Sequence, residues 1–183
     1  MKRHKKSEWS QIEQTLNDLE KQALMQLVQQ LYDLSDEVRR FVGTRFNPEK
    51  DLEKRIALYC AVIEQQFSLH HDLFPDFSLI TKTINEYRLA TGDVAGVLAL
   101  QLYGLETATA FINQIGVRDS LFYEALADLL ADFTDLLGQH PEFHSQFASR
   151  IWKMSQQTGD VGYGYSDFAM EKFAEIEDFL GGE

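Results

Sequence analysis

One cysteine, three prolines and few Val/Ile alternations set the first limits on this 183-residue sequence. The lone Cys60 excludes a disulfide within the chain and any cysteine-based metal cluster. Among Tyr59, Ala61 and Val62 it suits a small buried hydrophobe better than a nucleophile, since no histidine lies near it in sequence. With so little strand patterning the chain shows no β-strand, and helices must account for the fold. Long apolar runs are missing too. The uncharged run Val94–Leu105 is shorter than the roughly 20 residues a membrane span needs, and Glu106, Asn113 and Gln114 follow it. No apolar segment follows the basic residues at the N-terminus, so neither a signal peptide nor a membrane partner is expected, and a reducing, cytoplasmic location is.

Basic residues are scarce as well. Lys and Arg number 17 against 29 Asp and Glu, a net charge of −12. Lys2, Arg3, Lys5 and Lys6 supply +4 of that, leaving −16 (−12 minus +4) on the rest. Such a body repels phosphate backbones, which argues against nucleic acid and leaves a basic protein as a fitting partner. Residues 1–9 read as a disordered basic tip and 10–181 as a single all-helical domain.

Hydrophobic residues make up 44% of the chain, enough for a sizeable core. The stretch from Asp93 to Ile115 organises it. At 100° per residue, Val94, Val97, Leu98, Leu105, Ala108, Ile112 and Ile115 fall on one broad side. Ala95, Ala99, Tyr103, Glu106, Ala110 and Asn113 lie opposite as a small-residue track around one carboxylate. The spacing predicts about eight or nine antiparallel helices, as a bundle or a short helical-hairpin array, around this central helix.

The remaining elements follow from their punctuation. Ser10 and Glu13 have capping-box spacing ahead of Ile12 and Leu16. Asp18 opens a helix burying Ala23, Leu24, Leu27, Val28 and Leu31, and Ser35 caps another burying Val38, Phe41, Val42 and Phe46. Asn47-Pro48 is a strong boundary, after which Leu52, Ile56, Tyr59, Cys60, Ile63 and Phe67 face inward to about Gln66. Residues 68–77 are the longest irregular stretch, and their aromatics leave room for a homodimer. Ser78 restarts a helix with Leu79, Ile80, Ile84 and Tyr87 inside, and Gly92 ends it. Asp119 or Ser120, Pro141 and Ser166 open the last three helices, the middle one burying Phe143, Phe147, Ile151, Trp152 and Met154. Thr91-Gly92-Asp93-Val94 recurs as Thr158-Gly159-Asp160-Val161, which helix-stop and helix-start chemistry explains better than duplication.

Four constellations are candidates for function. Gly162, Tyr163, Gly164, Tyr165 and Asp167 form a glycine-aromatic loop feeding a helix N-terminus. No strand precedes it and no Lys follows, so it is not a phosphate loop; a structural turn is the first reading and a binding loop the second. Glu124, Asp128, Asp132 and Asp135 form an acidic stripe, read first as a solvated face offset by Arg150 and Lys153 of the next helix and second as a docking face for a basic partner or a weak divalent-cation site. His140 and His144, with His70 and His71, supply metal-ligand chemistry without a hydrolase motif, so no cofactor is assigned. Glu106 is either a pocket carboxylate or the partner of an arginine such as Arg88.

The run Leu24-Met25-Gln26-Leu27-Val28-Gln29-Gln30-Leu31-Tyr32-Asp33-Leu34-Ser35, the Phe46-Asn47-Pro48 break, Ile84-Asn85-Glu86-Tyr87 and the glycine-aromatic loop with Asp167 together resemble a family of small bacterial proteins of unknown function. That resemblance spans roughly Leu19 to Leu180 and implies an all-helical domain, with no catalytic residues to carry over. The expected function is a non-enzymatic protein-interaction module; the alternative is a metal-binding protein or metal-dependent hydrolase.

Overall fold

The computed structural model describes residues 2–46, 52–68, 75–158, 162 and 164–180, without the side chains of 2–7 and 179–180. Among the described residues there are nine α-helices, a single 3-10 turn and no strand. By packing the chain forms two compact units, Met1–Asn47 and Pro48–Glu183.

The first unit holds α1 (Lys2–Asn17), α2 (Lys21–Leu34) and α3 (Asp36–Phe46). Helix α1 begins well before Ser10, so Ser10 lies inside it and the expected capping box does not form. Helix α2 starts after Glu20, not at Asp18. Ser35 does cap α3, its Oγ accepting from Val38 N at 3.4 Å. The expected core of this unit is shallower than its periodicity suggests. Ala23, Leu24 and Leu27 are half-buried, whereas Val28, Leu31 and Phe46 are exposed. Three short helices have too little surface to enclose a full apolar stripe.

The second unit holds α4 (Leu52–Gln66), α5 (Phe77–Thr91), α6 (Val94–Ile115), α7 (Ser120–Gly138), the 3-10 turn (Pro141–Phe143), α8 (His144–Ser155) and α9 (Tyr165–Leu180). Helix α6 is the expected pillar. It packs against α4, α5, α7 and α8, while α9 lies against α7 and α8. Eleven of its residues are buried, including Val97, Leu98, Leu102, Leu105 and Ala108. It is long and apolar enough to cross a membrane by length and composition alone, and 67% of its apolar window is enclosed by protein.

Local chemistry sets the pillar's ends. Gly92 and Gly116 adopt left-handed φ of 67°, which a side chain disfavours, and each closes the helix before it. Asp93 caps α6 through Gly96 N, and Asp119 caps α7 through Phe122 N. Helix α5 is capped by Asp76 rather than Ser78, because Asp76 Oδ1 accepts from Ser78 N, Ser78 Oγ and Leu79 N. Those bonds hold the Asp76 carboxyl below its ordinary range, the Ser78 hydroxyl contributing most. On α8, Phe147, Ile151 and Met154 are buried as expected, but Trp152 projects outward at 63% exposure.

Candidate functional site

The small-residue side of α6 is not a plain helix seam, and near its C-terminal end Ala110 helps line a cavity of about 480 Å³ with Glu64, Phe67 and Thr107. Helices α4 and α8 send polar groups onto it. Arg150 of α8 donates Nε to Glu106 Oε1 at 2.9 Å and Nη2 to Glu106 Oε2 at 2.6 Å. The partner is therefore Arg150 and not Arg88: α8 crosses the Glu106 side of α6, whereas α5, which carries Arg88, packs elsewhere on its girth. Tyr103 donates to Glu64 of α4 at 3.4 Å, and Asn113 donates to Gln157 O at 3.2 Å. Cys60 is half-buried beside this group. Burial pushes its thiol up and Arg150 pulls the other way, so it stays protonated and weakly nucleophilic.

The acidic stripe is on α7 where the spacing puts it. Glu124, Asp128, Asp132 and Asp135 are all exposed. They form the solvated face expected, but without the offset by Arg150. Arg150 is committed to Glu106, and α9 rather than α8 takes the place beside α7. Lys172 of α9 feels the charge of Asp135, but it bonds Glu175 at 2.9 Å, which raises its own pKa.

Beside this ridge, on the far side of α6 from Glu106, α5 and α7 flank a cavity of about 250 Å³. Its α5 rim carries Thr81, Asn85 and Arg88, and its α7 rim carries Asp132, Asp135 and, just past the helix end, Gln139. Ile84, Leu129 and Gln101 form the floor. Gln101 is only 3% exposed, and its Oε1 has no hydrogen-bond partner. The sequence reading did not single out Gln101, Asn85 or this placement of Arg88. A lone glutamine on the wide apolar side of the pillar was the available signal.

The glycine-aromatic loop serves the core at one of its tyrosines. Gly164 has a φ of 76°, and α9 begins at Tyr165, one residue before Ser166. Tyr165 is buried with its ring 6.1 Å from Tyr123, and burial drives its phenol pKa well up. Gly162 and Asp167 are exposed, while Tyr163 lies outside the described residues, as do Gly159, Asp160 and Val161 of the second Thr-Gly-Asp-Val.

The two described histidines of the proposed metal set have other partners. His140 Nδ1 is 3.0 Å from Glu142 Oε1, which holds the Glu142 carboxyl low, and His144 Nε2 is 3.0 Å from Leu137 O. Among the described residues no three His, Cys, Asp or Glu side chains gather to hold a metal ion. His70 and His71 lie outside the described residues. Comparison with protein-family models, with curated proteins and with solved structures returns no match.

Proposed function

We propose that this protein is a non-enzymatic protein-interaction module of the bacterial cytoplasm, docking a basic partner on the acidic ridge of α7. One observation carries the reading: Glu124, Asp128, Asp132 and Asp135 stand exposed in line, and the arginine expected to offset them is engaged with Glu106. Residues 48–183 carry 22 acids against nine bases, a net of −13, so the ridge sits in a field of its own sign. Like charges one turn apart oppose helix formation, and a cationic surface laid along them removes that cost. The N-terminal unit adds a second adhesive surface. On α2, Met25, Val28, Leu31 and Leu34 are exposed, each a turn from the next along a line that winds around the helix.

The test is affinity capture with the full chain against a variant carrying Glu124→Gln and Asp128→Asn. A control carries Glu171→Gln and Glu177→Gln, exposed acids of α9 that change the net charge equally. The wild type and the control recover the same basic protein in a salt-sensitive manner, and the ridge variant loses it. A partner set that is unchanged in the ridge variant overturns the reading.

A further inference from the structure

The cavity between α5 and α7 has a charge arrangement that neither the fold nor the ridge explains. Arg88 stands on one rim, and Asp132 and Asp135 stand on the other. Opposite charges facing each other across a cleft normally close to an ion pair. Here, among the described residues, Arg88 pairs with neither aspartate, and the helices that carry the two rims pack on each other beneath them. That packing is firm, since Ile84 and Leu129 on the floor are almost fully buried. Between the rims lies the amide of Gln101, with an Oε1 that finds no protein donor. A buried polar atom left without a partner costs free energy, and a native fold keeps one where water or a ligand completes it.

We propose that this cavity binds a small zwitterion of the α-amino-acid class, its carboxylate on Arg88 and its ammonium on Asp132 and Asp135. Such a molecule carries its cation and its anion on the same carbon, one to each side, which matches two rims of opposite charge that form no ion pair with each other. Its head group offers donor and acceptor side by side, so it completes the Gln101 amide whichever way round that amide stands. The size agrees. A cavity of about 250 Å³ holds roughly eight water volumes, which suits a ligand of about that many non-hydrogen atoms. The other chemistries fit less well. A dication meets Arg88, and a simple anion meets two aspartates. The exposed Thr81, Asn85 and Gln139 of the rim add neutral hydrogen-bonding groups that could sort one side chain from another.

The test titrates the full-length protein with the common L-amino acids one at a time, with putrescine and acetate as probes of one charge only. Side-chain amide resonances of Gln101 and Asn85 report binding inside the cavity. At least one amino acid shifts both in a saturable manner, and putrescine and acetate do not. Arg88→Gln and Asp132→Asn, both at exposed positions, each weaken that binding by about ten-fold or more. Gln101→Leu abolishes it while leaving the chain folded, because it removes the unpartnered atom. Saturable binding of no amino acid overturns the proposal. So does putrescine binding as tightly as the best amino acid, or unchanged affinity in Arg88→Gln and Asp132→Asn. Glu124 and Asp128 do not line the cavity, so the ridge variant retains amino-acid binding even if the docking reading fails.

Discussion

Arg150 on α8 grips Glu106 on α6 through two hydrogen bonds of 2.9 and 2.6 Å, a fork that ties two helices 44 residues apart in sequence. Their side chains are 37% and 32% exposed, midway between a surface pair and a buried one. A surface pair contributes little, while a buried one is costly to break from one side. The double-mutant cycle of Glu106→Ala and Arg150→Ala therefore gives a coupling of about 1 kcal/mol in urea unfolding. Additive single losses would show that the fork contributes nothing beyond its separate packing.

A second close relationship links the α5–α6 corner. Tyr87 is fully buried, its ring 5.1 Å from Tyr59 and its hydroxyl donating to Asp93 Oδ2 at 2.7 Å. Asp93 Oδ1 in turn accepts from Gly96 N at 3.1 Å. A Cβ on Gly96 would fall onto the Tyr87 hydroxyl and the adjacent ring carbon. Alanine gains up to about 1 kcal/mol of helix propensity over glycine, but forcing a buried ring aside costs about 1–3 kcal/mol. Gly96→Ala thus lowers the stability of the second unit, read as an earlier urea midpoint. A raised midpoint would mean the corner yields without loss.

This corner marks what the sequence made legible. Gly92, Asp93, Gly116 and Asp119 act within a few residues of themselves, so their roles can be read from order alone, and the pillar shows through its period. Choices between equivalent neighbours could not be read. Asp76 and Ser78 both suit an N-cap, and the carboxylate won because it accepts from two backbone N–H groups and from the serine hydroxyl. Long-range pairing was equally hidden. Arg88 and Arg150 offered Glu106 the same charge, and only the path of α8 decided between them. Hydropathy also does not reveal whether a partner surface exists. Leu31, Phe46 and Trp152 carry core chemistry on exposed faces. Gln101 stood out only as a lone glutamine on an apolar side, since its significance comes from what surrounds it.

Alkaline pH probes the buried tyrosines. Burial raises the phenol pKa of Tyr87 and Tyr165 above the ordinary value of 10.0, and the bond to Asp93 raises Tyr87 further. A group whose folded pKa is raised stabilises fully below its unfolded pKa, and that contribution fades as pH climbs toward the folded value. Stability should hold to about pH 10 and decline above it. Tyr165→Phe makes the decline shallower. Because Tyr165 Oη has no partner, the same substitution is neutral or mildly stabilising near pH 7. A pH-independent midpoint across this range would contradict the buried, protonated assignment.

The acidic ridge yields the last prediction, which separates its cost from its use. Asp128 lies one turn from both Glu124 and Asp132, so it takes part in two like-charge contacts of about 0.2–0.5 kcal/mol each. Asp128→Asn removes both and raises stability by up to about 1 kcal/mol at low ionic strength. The gain shrinks in high salt, where exposed charges are already screened. Glu177→Gln, an exposed acid on α9, serves as the control and should change little. If Asp128→Asn fails to stabilise at low salt, some group within the protein already neutralises the ridge, and the electrostatic case for a basic partner falls. If it stabilises as expected, the wild type keeps a charge that costs it stability, which fits a surface retained for binding.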